Sequence, residues 1–236
     1  MPPSIVILTG AGVSVESGLP SFRGSGGLWR DLRLDDVATP RAFRADPALV
    51  QAFYNERRRQ LRSGAVRPNA AHRALARLQR EWPGACLLVT QNIDDLHERA
   101  GSRQVCHMHG ELLRKFCDRC RAGYPALEDI RTDERCPQCQ GLGSLRPDVV
   151  WFGEVPRHLS EIEAALAACD LFLAIGTSGV VYPAAGFVQQ ARRAGAHTMA
   201  VNPDADGIEG LFAEHLRGPA GDVVPPLVER LIASAR

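Results

Sequence analysis

The chain has 236 residues, 45% of them hydrophobic, which suffices for one well-buried α/β domain with a small satellite and excludes two unrelated full domains. A formal net charge of +1 supplies no global field toward nucleic acid or an anionic membrane, so partners must be argued from sites. No apolar stretch reaches bilayer-spanning length, and the opening Met1-Pro-Pro-Ser-Ile-Val-Ile-Leu lacks the basic start of a signal peptide, so no membrane partner is expected and a cytoplasmic location is the default.

In chain order, an aliphatic run at residues 5–8 predicts the first strand. Thr9-Gly10-Ala11-Gly12-Val13-Ser14 follows, a glycine turn into a predicted helix whose free N–H groups can hold a pyrophosphate. Val15 stands where the general dinucleotide fingerprint has its third glycine, and the second strand ends in Thr90-Gln91-Asn92 without the usual acidic residue. Both departures tell against a dehydrogenase, and alone the turn also reads as an ordinary strand-to-helix connection. Apolar spacing of three and four predicts helices over residues 47–62, 70–81, 159–168, 185–194 and 222–235. In the first of these, Tyr54 and Arg57 share a face. Further strands are predicted at residues 86–89, 149–152, 171–175 and 198–201, and their alternation with helices implies a mostly parallel sheet covered on both faces. Gln104-Val-Cys-His-Met is also strand-like, which puts His109, just before Gly110, at a strand end facing a cleft. His107 points to the same face of a regular strand, so spacing does not choose between the two histidines.

Residues 112–145 break the pattern, being rich in Cys, Gly, Pro and charge. Within them Cys117-x-x-Cys120 and Cys136-x-x-Cys139 stand fifteen residues apart, the spacing of two knuckles closing a tetrahedral four-thiolate zinc site. Four protein ligands leave no position for water, so such a zinc is structural, and metal ligation would supply most of the folding free energy of so short a module. The other readings are reduced thiols, a redox pair, or a nucleic-acid-binding ribbon, since Arg114, Lys115, Arg119 and Arg121 cluster near the first knuckle. Little aromatic interleaving is present to stack bases, so nucleic acid is not an expected partner. Cys86, Cys106 and Cys169 fall in apolar patterns and read as core.

The longer stretch from Gly10 to Gly24, with Gln91-Asn-Ile-Asp94, His109-Gly110, the two cysteine pairs, Gly176-Thr-Ser178 and Val201-Asn-Pro203, resembles the sirtuin family in order and over nearly the whole chain. The resemblance implies a Rossmann-like NAD-binding domain (residues 1–36, 84–111 and 146–236) and a small domain with a helical part (37–83) and a zinc-ribbon part (112–145). It implies that Gly10, Ala11, Gly12, Ser14, Phe22, Arg23 and Trp29 contact NAD, and that Gln91, Asn92, Ile93 and Asp94 line the nicotinamide and its ribose. Gly176, Thr177 and Ser178 would face phosphate, Asn202 with Pro203 and Asp204 the adenosine ribose, and Ala220 the adenine. His109 is implied as the general base on a ribose hydroxyl, with Asn92 orienting the ribose or water.

The acyl-lysine peptide is implied to add as a strand between residues 149–153 and 179–182, contacting Val150, with Phe152 walling the acyl tunnel. Tyr54 and Arg57 are similar to the pair by which class III sirtuins read the distal carboxylate of succinyl- or malonyl-lysine, and Ala38 matches a small residue that leaves room for a longer acyl group. The expected activity is removal of succinyl, malonyl and acetyl groups from lysine, giving nicotinamide and O-acyl-ADP-ribose. The alternatives are an NAD-dependent protein ADP-ribosyltransferase on the same scaffold, and a non-enzymatic zinc-ribbon protein.

Overall fold

The first aliphatic run, β1 (Ile5–Thr9), is buried along its whole length, as a strand must be when helices cover both faces of its sheet. A computed structural model of the chain describes residues 3–20, 34–177, 181–203 and 210–235. After β1 come a 3-10 helix (Ala11–Ser17), α1 (Leu34–Val37), α2 (Pro40–Ala45), α3 (Pro47–Arg62) and α4 (Ala70–Glu81). The central stretch holds β2 (Cys86–Thr90), α5 (Leu96–Arg99), β3 (Val105–His107), β4 (Gly110–Cys117), β5 (Gly123–Pro125) and β6 (Leu145–Val149). The chain closes with α6 (Leu159–Ala168), β7 (Leu171–Ile175), a 3-10 turn (Ala184–Gly186), α7 (Phe187–Arg193), β8 (His197–Asn202), β9 (Glu214–Arg217) and α8 (Ala220–Ser234).

Six strands form one sheet in the order β3-β2-β1-β7-β8-β9, parallel throughout. Ile5 and Ile7 of β1 pack with Leu75 and Leu78 of α4 and with Val224, Leu227 and Val228 of α8. Val6 and Leu8, turned the other way, meet Ile162 and Leu166 of α6 and Phe187 and Ala191 of α7. Strand order reverses between β1 and β7, and in open parallel sheets the crevice at such a switch point is where ligands bind.

The second body is a three-stranded antiparallel sheet, β5-β4-β6, with α1, α2 and α3 beside it. Asp46 caps α3 by accepting from the Leu49 N–H, with Pro47 in the first turn where no intrahelical N–H is needed. From α3, buried Arg58 donates to the Leu112 carbonyl, and Asn55 exchanges hydrogen bonds with the backbone of Ile130. Helix and cysteine module are thus tied by backbone-directed polar contacts.

Several features differ from the sequence expectation, β4 and β5 among them, since residues 112–145 showed no strand pattern. The strand predicted at residues 149–152 of the parallel sheet is absent: the chain makes β6 instead, which ends at Val149 and pairs with β4. Residues 150–152 follow as an irregular segment whose Val150 and Phe152 N–H groups donate to the carbonyls of His109 and Ala38. The apolar run hid a strand that starts four residues earlier, because Arg146 and Asp148 are buried there through ion pairs with Glu154 and Arg157. The helix that follows the glycine turn is a 3-10 helix. Edge strand β9, Glu-His-Leu-Arg, carries no aliphatic run to betray it.

Gly110 joins the two bodies. It adopts φ +82°, and a Cβ built on it would sit 2.1 Å from the Asp148 carbonyl oxygen. Gly110→Ala therefore strains both the backbone and the β4–β6 pairing, and it is expected to lower unfolding free energy by at least about 2 kcal/mol in a denaturant titration. An unchanged midpoint would show that the two strands do not need this close approach.

Candidate functional site

The ends of β1, β2 and β7 open into a cavity of about 660 Å³ that runs on between the two bodies. Gly10, Ala11, Gly12, Ser14, Gln91, Asn92, Ile93, Asp94, Gly176, Thr177, Asn202 and Pro203 line it, and so do His109, Tyr54, Arg57, Val150, Phe152 and Ala38. One wall thus gathers residues predicted for cofactor and the other residues predicted for substrate. Ala220 does not line it, lying buried in the core at the start of α8. Phe22, Arg23, Trp29, Ser178 and Asp204 fall outside the described residues.

The glycine turn is shaped by a close crossing. Gly12 N–H donates to the Gly176 carbonyl at 2.9 Å, and a Cβ on Gly12 would lie 2.6 Å from the Gly176 Cα. Beneath it, Asn92 Nδ2 donates to the Gly10 carbonyl and to Ser14 Oγ, both at 3.2 Å. Ser14 in turn donates to Asp94 Oδ2 at 3.0 Å, and the other Asp94 oxygen accepts from the Leu96 N–H. Burial pushes the Asp94 carboxyl up to about 6, against the pull of those two hydrogen bonds. At the far end Gln91 Nε2 donates to Thr177 Oγ1 at 3.0 Å and Asn202 Nδ2 to the Thr177 carbonyl at 2.9 Å, and among the described residues nothing takes either amide's carbonyl oxygen.

The two histidines separate cleanly. β3 ends at His107, whose Nε2 lies 2.7 Å from Glu98 Oε1 and whose Nδ1 faces the Asn92 carbonyl; it does not line the cavity. His109, past the strand end, does line it, with Nδ1 3.0 Å from the Gln91 carbonyl oxygen. A carbonyl only accepts, so Nδ1 carries the proton and Nε2 keeps its lone pair. Burial lowers the His109 imidazole below its ordinary value, and the Gln91 hydrogen bond offsets only part of that. The ring is accordingly neutral and basic at pH 7.

Behind this layer lie two histidines that pattern reading took only as part of helical or loop segments. His97 Nε2 is 3.0 Å from Thr9 Oγ1, His72 Nε2 is 3.5 Å from Ser14 Oγ, and the two rings are 4.8 Å apart. Burial drives His72 down to about 4 and His97 well below its usual value, so both remain neutral supports. The available signal was chemical: a histidine inside the apolar face of α4 is buried, and burial needs a partner.

On the opposite wall, Tyr54 is buried and its hydroxyl stays protonated, with burial pushing its pKa up to about 12. Arg57 lies flat on the Phe53 ring, 3.3 Å from its centroid, and donates from Nη1 to the Phe53 carbonyl at 2.9 Å. Its Nε is buried without a hydrogen-bond partner among the described residues. Desolvation pulls the guanidinium down to about 10, which leaves it charged at neutral pH. A charged fork and a phenol facing one cavity suit a carboxylate. Phe152 is half-exposed at the cavity mouth rather than buried. Trp151, which the strand-like run concealed, also lines the cavity and donates from Nε1 to the Tyr54 hydroxyl at 3.0 Å.

The four paired cysteines meet with all sulfurs within 4.8 Å of one another; Cys117 to Cys139 and Cys120 to Cys136 each measure 3.6 Å. Bonds of about 2.3 Å in a tetrahedron place sulfurs roughly 3.8 Å apart, so the donor set fits zinc in size as well as in chemistry. No helix among the described residues is long and apolar enough to cross a membrane.

A family model described as the Sir2 family matches residues 10–183. The NAD-dependent protein deacylase of Escherichia coli (strain K12) is 53% identical over 230 residues, covering 98% of this chain and 82% of that one. A solved Sir2 homologue in complex with NAD matches with TM-score 0.88 at 38% identity, covering 99% of this chain and 91% of its own. A variant Sir2 homologue holding 2'-O-acetyl-ADP-ribose matches with TM-score 0.89 at 38% identity, covering 98% of this chain and 93% of its own.

Two outcomes follow from the geometry. Metal analysis should find one zinc per chain, and stripping it with a strong chelator should lower Tm and open residues 112–145 to protease, with readdition reversing both; a metal-free chain of unchanged Tm would overturn the zinc assignment. A general base with depressed pKa stays competent below the usual imidazole value, so kcat/KM for acyl-peptide should hold level from pH 8 to about 6.5 and fall only in more acid solution. An acid limb centred above pH 7 would mean that some other group carries the proton.

Proposed function

The chain belongs to the Sir2 family, and on that premise we propose that it is an NAD-dependent protein lysine deacylase acting on carboxylate-ended acyl groups, succinyl and malonyl, as well as on acetyl. The observation that carries the acyl choice is the desolvated Tyr54–Arg57 pair facing the same cavity as His109. NAD would supply the ribose that receives the acyl group and the nicotinamide that leaves, and one water consumed would release the amine, the products being nicotinamide, O-acyl-ADP-ribose and free lysine.

The chain's own residues divide the work. In the glycine turn the Gly10 and Gly12 N–H groups, expected to be free, are taken by the Ile175 and Gly176 carbonyls, so the Ala11 N–H is the donor the turn would offer a pyrophosphate. Asn92 is fixed by its two donated hydrogen bonds, so its Oδ1 can orient a ribose hydroxyl or a water. Asp94, anchored by Ser14 and Leu96, would hold the nicotinamide amide. His109 Nε2 receives the proton of a ribose hydroxyl, and the Gln91 carbonyl fixes the tautomer that makes this possible. The substrate backbone would run as a strand past Val150, with its acyl-lysine entering beside Phe152 and Ala38. Tyr54 and Arg57 would then receive a distal carboxylate through charge-assisted hydrogen bonds.

The test is turnover of matched succinyl- and acetyl-lysine peptides with NAD. Arg57→Met should lower the succinyl-to-acetyl ratio of kcat/KM at least about tenfold, the worth of one charge-assisted hydrogen bond, whereas His109→Tyr should abolish both activities. Equal loss of both acyl activities in Arg57→Met would make Arg57 structural and sink the carboxylate reading. Nicotinamide release that does not require acyl-peptide would point to ADP-ribosyl transfer instead.

A further inference from the structure

The Tyr54 hydroxyl has one proton and two lone pairs, and its direction is decided by the neighbour on one side. Trp151 Nε1–H can only donate, and it does so to Tyr54 at 3.0 Å, so the tyrosine oxygen is the acceptor in that contact. The phenolic proton must therefore point elsewhere. Among the described residues no acceptor takes it, and the side of Tyr54 that remains is the cavity it lines with Arg57. We propose that Trp151 is a positioning residue for acyl-group choice: by occupying the acceptor side of the Tyr54 hydroxyl, it turns the tyrosine's single proton toward the carboxylate of a succinyl- or malonyl-lysine substrate. This rests on the reading of Tyr54 and Arg57 as the acyl-end site.

The indole is itself held in place from two directions. The Arg146 guanidinium lies over its ring at 3.4 Å, and Phe43 packs at a centroid distance of 5.3 Å. Arg146 is buried and makes a two-pronged ion pair with Glu154 at 2.8 and 2.9 Å; Glu154 Oε2 also accepts from the Trp151 backbone N–H at 2.8 Å. Ring plane and backbone of Trp151 are thus set before substrate arrives. A hydroxyl that already accepts a hydrogen bond is polarised into a stronger donor, so the arrangement both aims the proton and strengthens its bond to an anion. An acetyl group ends in a methyl and gains nothing from it. Trp151 thereby discriminates between acyl groups through Tyr54 without touching the distal carboxylate itself.

The experiment is a double-mutant cycle on the succinyl-to-acetyl ratio of kcat/KM, with wild type, Trp151→Phe, Tyr54→Phe and the double variant, each checked for zinc content and Tm. Phenylalanine keeps an aromatic face under Arg146 and removes the N–H. Trp151→Phe should lower the ratio about five- to tenfold, chiefly by raising KM for the succinyl-peptide, because the lost interaction is already made in the bound ground state. Tyr54→Phe should lower it at least as far, and the double variant no further than Tyr54→Phe alone, since Trp151 acts through the hydroxyl. If the smaller ring unsettles the fold, 3-benzothienylalanine at position 151 retains the bicyclic shape without the N–H and should give the same ratio. A Trp151→Phe ratio within twofold of wild type beside a strong Tyr54→Phe effect overturns the inference alone. So does a double variant whose loss equals the product of the single losses. A Tyr54→Phe ratio equal to wild type overturns the carboxylate reading of Tyr54, and the inference with it.

Discussion

The backbone leaving β1 and the backbone leaving β7 cross so closely that a Cβ on Gly10, Gly12 or Gly176 would come within 2.7 Å of the other segment. Nothing larger than hydrogen fits between them, and the Gly12 N–H is spent on the Gly176 carbonyl. That crossing fixes where the two halves of the parallel sheet diverge, hence where the crevice opens. Asn92 is measured against it through the Gly10 carbonyl, and Thr177, one residue past Gly176, anchors Gln91 and Asn202. Gln91 in turn gives its own carbonyl to His109. The tautomer of His109 therefore traces back, in three contacts, to a glycine packing requirement.

Beneath the cavity floor the protein accepts a costly layer of buried polar groups: Thr9, Ser14, His72, Thr90, Asn92, Asp94 and His97. Burying such groups is tolerable only when each finds partners, and here most do. The weak point is His97 Nδ1, buried without a partner among the described residues, while Nε2 faces Thr9, which itself donates to Thr90. The imidazoles stay neutral, and the Asp94 carboxylate, still ionised at pH 7 with its pKa raised to about 6, is held by Ser14 and the Leu96 N–H, so the hydrogen bonds around Asn92 work at low dielectric and hold it still.

Much of this was legible in the sequence, because it rests on short-range rules. The cysteine spacing reports a metal's geometry, and the aliphatic runs of β1, β2, β7 and β8 report burial on both faces. What pattern reading misplaced was β6, where Arg146 and Asp148 are buried by partners distant from any periodic rule. Edge strand β9 escaped because an edge needs no aliphatic run. His107 and His109 could not be told apart by spacing; only the strand's end at His107 and the nearby Glu98 separate them. Trp151 was passed over for a related reason. It stands in an apolar run that no periodic rule singles out, and the partner its N–H needs lies 97 residues away on α3.

The wall proposed to receive the acyl end would also account for breadth of activity. The Arg57 guanidinium packs over the Phe53 ring and is bonded to that residue's carbonyl. An acetyl group, too short to engage the guanidinium, leaves it in the arrangement it already has, so no fresh desolvation is charged against that substrate. A carboxylate adds attraction in a place where burial has already weakened competition from water. On that proposal, preference for acidic acyl groups would be a gain for one substrate rather than a penalty on the other, and a site built by gain alone does not exclude acetyl-lysine.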